Sequence, residues 1–108
     1  MKLKNKVAFI TGVTSGIGLE TAKLFRAEGA EVVIVRSNAD RLEAAGRELD
    51  GQATLIQADV RKVADIERAV EEARLKFGHI DIVFANAAPA QLLRWRRLLQ
   101  STSKTTWL

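Results

Sequence analysis

Between residues 7 and 84, short wholly apolar runs alternate with longer stretches in which apolar residues recur every three or four positions. Val7-Ala8-Phe9-Ile10 is bounded by charge before and glycine after, too short for a helix, and predicts a strand buried on both faces that ends at Thr11. From Gly16 to Ala30 the apolar residues Ile17, Leu19, Ala22, Leu24 and Phe25 recur mainly at helical spacing, and Gly29 supplies a C-terminal stop. Val32-Val33-Ile34-Val35 is wholly β-branched and predicts a second buried strand. Ser37 or Asn38 can cap a helix running to about Asp50, with Leu42, Ala45 and Leu49 on one face. A third strand is predicted over roughly Ala53 to Ala58. Helical spacing returns from Asp65 through Ile66, Ala69, Val70, Ala73 and Phe77 until Gly78, and Ile80, Ile82, Val83 and Phe84 form a fourth strand.

Strands separated by helices of about a dozen residues imply right-handed crossovers and a parallel sheet. The expected class is α/β: a partial doubly wound, Rossmann-type sheet, βαβαβαβ, with strand order 3-2-1-4. In that winding the first two helices cover one face and the third crosses to the other. The fourth strand is then left as an apolar edge, open to self-association or to pairing with a relative, and a poorly stable or aggregating monomer is expected. After Ala88 the periodicity stops. Leu92, Leu93, Leu98 and Leu99 could make one or two amphipathic turns, while Ser101 to Thr106 is polar and poorly helical. The division expected is a half-domain over 1–88 and a basic tail over 89–108, disordered or out of frame. No internal repeat is present.

A length of 108 residues, 47% hydrophobic and 28% charged, fits one small globular unit. No apolar run approaches the length that crosses a bilayer, and Met1 to Lys6 leads into a strand rather than a signal-peptide core, so a cytoplasmic address is expected. The absence of cysteine removes disulfides, thiolate nucleophiles and sulfur-ligated metals. The net charge of +4 lies wholly in the tail, in Arg94, Arg96, Arg97 and Lys104; acids and bases balance over residues 1–88. That distribution argues against a nucleic-acid footprint on the fold, leaving only the Arg- and Trp-containing tail as a weak candidate for polyanions.

The strongest chemical signal is Thr11-Gly12-Val13-Thr14-Ser15-Gly16-Ile17-Gly18, placed between the first strand and the first helix. A dinucleotide's pyrophosphate needs close approach to main-chain amides at a helix N-terminus, where unpaired N–H groups and the helix dipole favour an anion. Gly12 permits the tight turn, Gly16 lets the backbone approach the phosphates, and Gly18 lets the helix pack closely on the strand. The alternative is that the glycines serve the turn alone. About 20 residues further on, where an acid would hold the ribose hydroxyls of NAD, stands Arg36 followed by Ser37. A guanidinium matches a ribose 2′-phosphate, which favours NADP over NAD, unless Arg36 points to solvent.

The spacing Thr-Gly-x-x-x-Gly-Ile-Gly resembles the classical short-chain dehydrogenase/reductase family, and the resemblance extends almost continuously over residues 3–88. Ala58-Asp59-Val60 resembles the family's adenine-contacting turn, which implies that the Asp59 carboxylate accepts from the adenine amine while the Val60 N–H reaches the ring. A helix cap is the alternative role for Asp59. Asn86-Ala87-Ala88 resembles the family's Asn-Ala-Gly with its glycine replaced, and Phe77-Gly78-His79-Ile80-Asp81 matches the usual lead into the fourth strand. The implied cofactor site is Gly12, Thr14, Ser15, Gly16, Ile17, Gly18, Arg36, Ser37, Asp59, Val60, Asn86, Ala87 and Ala88. His79 is read as surface filling, and Glu67, Arg68, Glu71, Glu72 and Arg74 as a solvated helix face with ion pairs; neither group suggests a metal.

The resemblance also implies a tyrosine acid/base with a lysine one turn later and a serine on the substrate carbonyl, all in the second half of the fold. This sequence has no tyrosine, so no catalytic residue is assigned, and an inactive nucleotide-binding fragment of an NAD(P)-dependent oxidoreductase is expected. The alternative is a non-catalytic or regulatory module that pairs with a full-length relative. Read one base out of frame from Gln91, permitted codons give Ile-Ala-Pro-Leu-Glu-Glu-Ile-Thr-Ala-Glu-Tyr-Phe, similar to the family's continuation. A frameshift near Ala88 to Gln91 is the expected origin of the tail.

Overall fold

The computed structural model describes residues 2–11, 16–85, 93–97 and 105–107. Its elements in chain order are β1 (Val7–Thr11), α1 (Gly16–Ala27), β2 (Glu31–Arg36), α2 (Ala39–Glu48), β3 (Thr54–Gln57), α3 (Val63–Phe77), β4 (Ile82–Phe84) and β5 (Thr106–Trp107), with residues 93–97 helical between β4 and β5. The strands form one parallel sheet in the order β3-β2-β1-β4-β5. The expected order 3-2-1-4 is therefore present, extended by one short strand.

Alternate residues of the strands supply two cores, one on each face of the sheet. Ala8, Ile10, Val32, Ile34 and Ile82 face α1 and α2, meeting Ala22, Leu42, Ala45 and Leu49. Val7, Phe9, Val33, Val35 and Val83 face the other way, onto Ile66, Ala69, Val70 and Ala73 of α3. Burial on both sides explains why β1 and β2 read as unbroken apolar runs instead of alternating ones. Each valine, leucine, isoleucine or phenylalanine among them contributes about 1.5–3 kcal/mol by leaving water. The charged face of α3 carries the expected pairing, with Arg68 Nη1 3.2 Å from Glu72.

The boundaries follow local chemistry. Asn38, not Ser37, caps α2: its Oδ1 accepts from the Arg41 N–H at 3.0 Å. Gly78, at φ 85°, closes α3 in the left-handed conformation that only glycine adopts without strain. Leu24, expected on the apolar stripe of α1, is 61% exposed. Ile80 is buried but precedes β4, because Asp81 takes over its pairing: Oδ2 accepts from the Val7 N–H at 2.8 Å while the Asp81 N–H donates to the Val7 carbonyl at 2.9 Å. His79, read from sequence as surface filling, has a partner as well. Its Nε2 lies 2.9 Å from Asp81 Oδ2 and 3.1 Å from the Asn5 carbonyl. Both neighbours are acceptors, so Nε2 carries the proton.

Parts of the segment after Ala88 depart from an appended tail. Trp95, only 4% exposed, joins the core on the α3 face beside Phe9 and Val83. Residues 106–107 pair with Ile82 and Val83, and the Thr105 Oγ1 donates to the Ile80 carbonyl at 2.7 Å. The fourth strand is thus flanked where an open edge was expected. The physical reason is coverage. One long helix leaves room on its face of the sheet, and a large indole fills that room whether or not its neighbours Arg94, Arg96 and Arg97 are basic.

Candidate functional site

Because the strands are parallel, their carboxyl ends collect at one edge of the sheet. In open α/β sheets ligands bind in the crevice outside that edge, where consecutive strands depart in opposite directions. Here the divergence lies between β1 and β4, which are sheet neighbours although β2 and β3 intervene in sequence. The edge gathers Thr11, Arg36, Ser37, Ala58, Asp59 and Val60. Hydrogen bonds to backbone carbonyls hold it together: the Ala58 N–H donates to the Arg36 carbonyl at 2.9 Å, and the Gln57 side-chain Nε2 donates to the Ser37 carbonyl at 3.1 Å.

Of the residues singled out from sequence, Gly12, Thr14, Ser15, Asn86, Ala87 and Ala88 lie outside the described residues. Gly16 begins α1 and Ile17 follows it, so the helix starts where the glycine-rich motif predicts. Gly18 is buried. The first turn of α1 contains no acid, leaving the positive end of the helix dipole unopposed.

Thr11 was counted within the motif but given no role of its own. It is 0% exposed, and among the described residues its Oγ1 has no hydrogen-bond partner. A buried hydroxyl without a partner costs free energy. It stands at the strand end from which the glycine turn departs.

Arg36 is half-buried at the end of β2 and makes no ion pair among the described residues. Burial, and secondarily the like charge of Arg41, push its guanidinium below the ordinary value. It nevertheless stays protonated, as arginine does in proteins. Arg41, in the first turn of α2, thus adds a like charge to a guanidinium that has no ion pair among the described residues. Arg41 was not singled out from sequence, although its place in the first turn after the Asn38 cap was legible.

Asp59 is not a helix cap, since Lys62 occupies that position on α3 and offers no side-chain bond. Asp59 instead forms a tight turn with Arg61. Its Oδ1 accepts from the Arg61 N–H at 2.9 Å and from Nε at 3.1 Å, and its Oδ2 accepts from Nη2 at 3.1 Å. The Arg61 guanidinium, and then the Arg61 N–H, hold the Asp59 carboxyl below the ordinary aspartate range. The Asp59 N–H in turn donates to Asp65 Oδ2 at 2.8 Å. Val60 is partly buried against the α3-side core.

This edge fits a dinucleotide: an unopposed helix N-terminus, an uncompensated half-buried cation and an ionised acceptor stand along three successive strand ends. Among the described residues no group of acids and histidines could hold a metal ion. No helix among them is long and apolar enough to cross a membrane.

Comparison with known proteins agrees with this arrangement. Residues 6–107 match the family model described as short chain dehydrogenase. The chain is 44% identical over 86 residues to tropinone reductase-like 1 of Erythroxylum coca, covering 80% of this chain and 32% of that protein. It is 41% identical over 88 residues to galactitol 2-dehydrogenase of Agrobacterium fabrum, covering 82% and 34%. The chain therefore spans about a third of the length of these curated relatives. Among solved structures, the apo form of Caenorhabditis elegans glucose dehydrogenase superposes with a TM-score of 0.83 at 28% identity, covering 96% of this chain and 54% of that one. NAD+-bound xylitol dehydrogenase gives a TM-score of 0.74 at 30% identity, covering 82% and 35%.

Proposed function

The chain belongs to the short-chain dehydrogenase family, and from that premise we propose that these 108 residues bind a dinucleotide, NADP in preference to NAD, without turning over a substrate by themselves. The observation that carries the cofactor preference is Arg36, a half-buried guanidinium with no ion pair among the described residues and with Arg41 as a like-charged neighbour. A ribose 2′-phosphate compensates both charges, whereas a pair of neutral hydroxyls compensates neither. Gly12, Gly16 and the start of α1 would take the pyrophosphate, and Asp59 with Val60 the adenine. Ser37 stands next to Arg36 as a further donor for the phosphate, and Asn86, Ala87 and Ala88 would flank the nicotinamide half.

When bound, NADP supplies a hydride acceptor at its nicotinamide ring. What this chain's residues contribute is binding and orientation. No tyrosine is present to move the proton that accompanies hydride transfer in the family this chain resembles, so no catalytic residue is assigned. Pairing with a full-length relative through an open β4 edge is less well supported, because residues 106–107 lie along that edge.

The test is titration with NADPH and NADH by fluorescence, with and without Arg36→Asp. The parent should prefer NADPH, and the variant should reverse the order by removing a cation and adding a carboxylate for the ribose hydroxyls. Unchanged relative affinities would refute the assignment of Arg36.

A further inference from the structure

A carboxylate that reads one particular donor must be ionised, must keep an acceptor position open and must be held against rotation. Asp59 meets all three conditions through its neighbours. Its backbone is anchored by the bond from its N–H to Asp65 Oδ2 at 2.8 Å. Its side chain is gripped by Arg61, whose Nε and Nη2 each lie 3.1 Å from a different carboxylate oxygen. Such two-point contact fixes the carboxylate plane, which a single bond does not. With the Arg61 N–H also on Oδ1, that oxygen takes two bonds and Oδ2 takes one. Oδ2 therefore keeps an acceptor position. The Asp59 side chain is 19% exposed and that of Arg61 81% exposed, so the carboxylate is the more enclosed partner of the pair.

We propose that Arg61 is a positioning residue: by forking both oxygens of Asp59 it orients Oδ2 as the acceptor that distinguishes a 6-amino purine from a 6-oxo purine. The inference rests on the dinucleotide reading above and adds to it the residue that makes the adenine end selective. An amine at the purine 6-position donates to Oδ2. A carbonyl there sets one acceptor against another. Without Arg61 the carboxylate can rotate, so it neither presents a directed acceptor to the amine nor opposes the carbonyl firmly.

The experiment compares NADPH with its hypoxanthine analogue, in which the 6-amino group is replaced by a carbonyl, on the parent chain, Arg61→Ala and Arg61→Lys. A hydrogen bond to a charged acceptor predicts that the parent favours NADPH by about tenfold or more. Arg61→Ala should reduce that preference to about threefold or less by losing NADPH affinity. Arg61→Lys keeps the charge without the fork, and should resemble Arg61→Ala. Arg61 lies on an exposed turn, and matched thermal unfolding of the variants confirms that each is folded. Equal weakening of both nucleotides by Arg61→Ala, or full discrimination retained by Arg61→Lys, overturns the positioning role while leaving dinucleotide binding intact. Equal affinity of the parent for the two nucleotides also overturns it. Failure of the parent to bind either one overturns the dinucleotide reading, and this inference with it.

Discussion

Replacing Trp95 by alanine tests whether the segment after Ala88 is part of the fold. Residues 93–97 make little more than one helical turn, and isolated helices shorter than about 12–15 residues are marginal in water. The turn must therefore be held by what it buries. Trp95 is 4% exposed and packs in the core that contains Phe9, Val33, Ile66, Val70 and Val83. Truncating a buried aromatic to alanine removes its transfer free energy and leaves a cavity, together about 3–5 kcal/mol. Against a total of about 5–15 kcal/mol for a domain, that is a large fraction. With a urea dependence of roughly 1.5 kcal/mol per molar, the midpoint should fall by roughly 2 M or more. The assay is urea unfolding followed by circular dichroism, which does not depend on the deleted fluorophore. In a Trp107→Phe background Trp95 is the sole tryptophan, and its emission should shift to longer wavelength together with the loss of ellipticity. A midpoint for Trp95→Ala within about 0.3 M of the parent would refute the placement of this segment in the core.

Three further outcomes are expected. Thr11→Val, which removes a buried hydroxyl with no partner among the described residues, should stabilise the unliganded chain by about 1 kcal/mol in urea unfolding; destabilisation would show that the hydroxyl is paired. Asp81→Ala, which deprives the Val7 N–H of its acceptor and His79 Nε2 of one of its two, should cost about 2 kcal/mol, with Asp81→Asn costing less because one oxygen remains; equal unfolding midpoints for the parent and both variants would contradict this. The Asp59 pKa is depressed in the folded state, so its contribution to stability is present above the unfolded pKa and is lost as pH falls through the folded value. Below about pH 4 the stability of the parent should therefore fall more steeply with acid than that of Arg61→Ala, and parallel acid limbs would remove Arg61 as the cause.

Most of the fold was legible because its signals are local. Val7 to Ile10 and Val32 to Val35 are short, continuous and β-branched or aromatic, and such runs flanked by helical spacing admit few arrangements other than a parallel sheet. Asn38 and Gly78 marked helix ends by chemistry that acts within one turn. What escaped were contacts between distant residues. Nothing near Trp95 in sequence says that one face of the sheet has room for it, and three neighbouring arginines point the reader toward solvent. Of the two partners of His79, the Asn5 carbonyl lies 74 positions away, while Asp81 stands only two positions on, where strand spacing alone does not tell that its carboxylate turns back to the imidazole. Arg61 is the contrary case. An arginine two residues after an aspartate, at the start of a turn, is a local signal, but the spacing alone does not tell an arginine that forks the carboxylate from one that extends into solvent.

The two ends of the sheet answer different physical demands. At the amino ends, polar groups satisfy one another: Asp81 closes β1 against the start of β4, His79 donates onto Asp81, and the Leu3 N–H bonds the Glu28 carbonyl at 2.8 Å. At the carboxyl ends, the hydroxyl of Thr11 and the charge of Arg36 lack partners among the described residues, and the start of α1 has no acid to oppose its dipole. Each omission costs stability in the free chain, and each is of the kind that a phosphate-bearing ligand relieves. The exception at that end is Asp59, whose charge is already compensated. Compensation by Arg61 uses only part of its acceptor capacity, so it leaves a directional contact where its neighbours leave uncompensated charge. A nucleotide seated there would be held by charge at its phosphates and selected by geometry at its base.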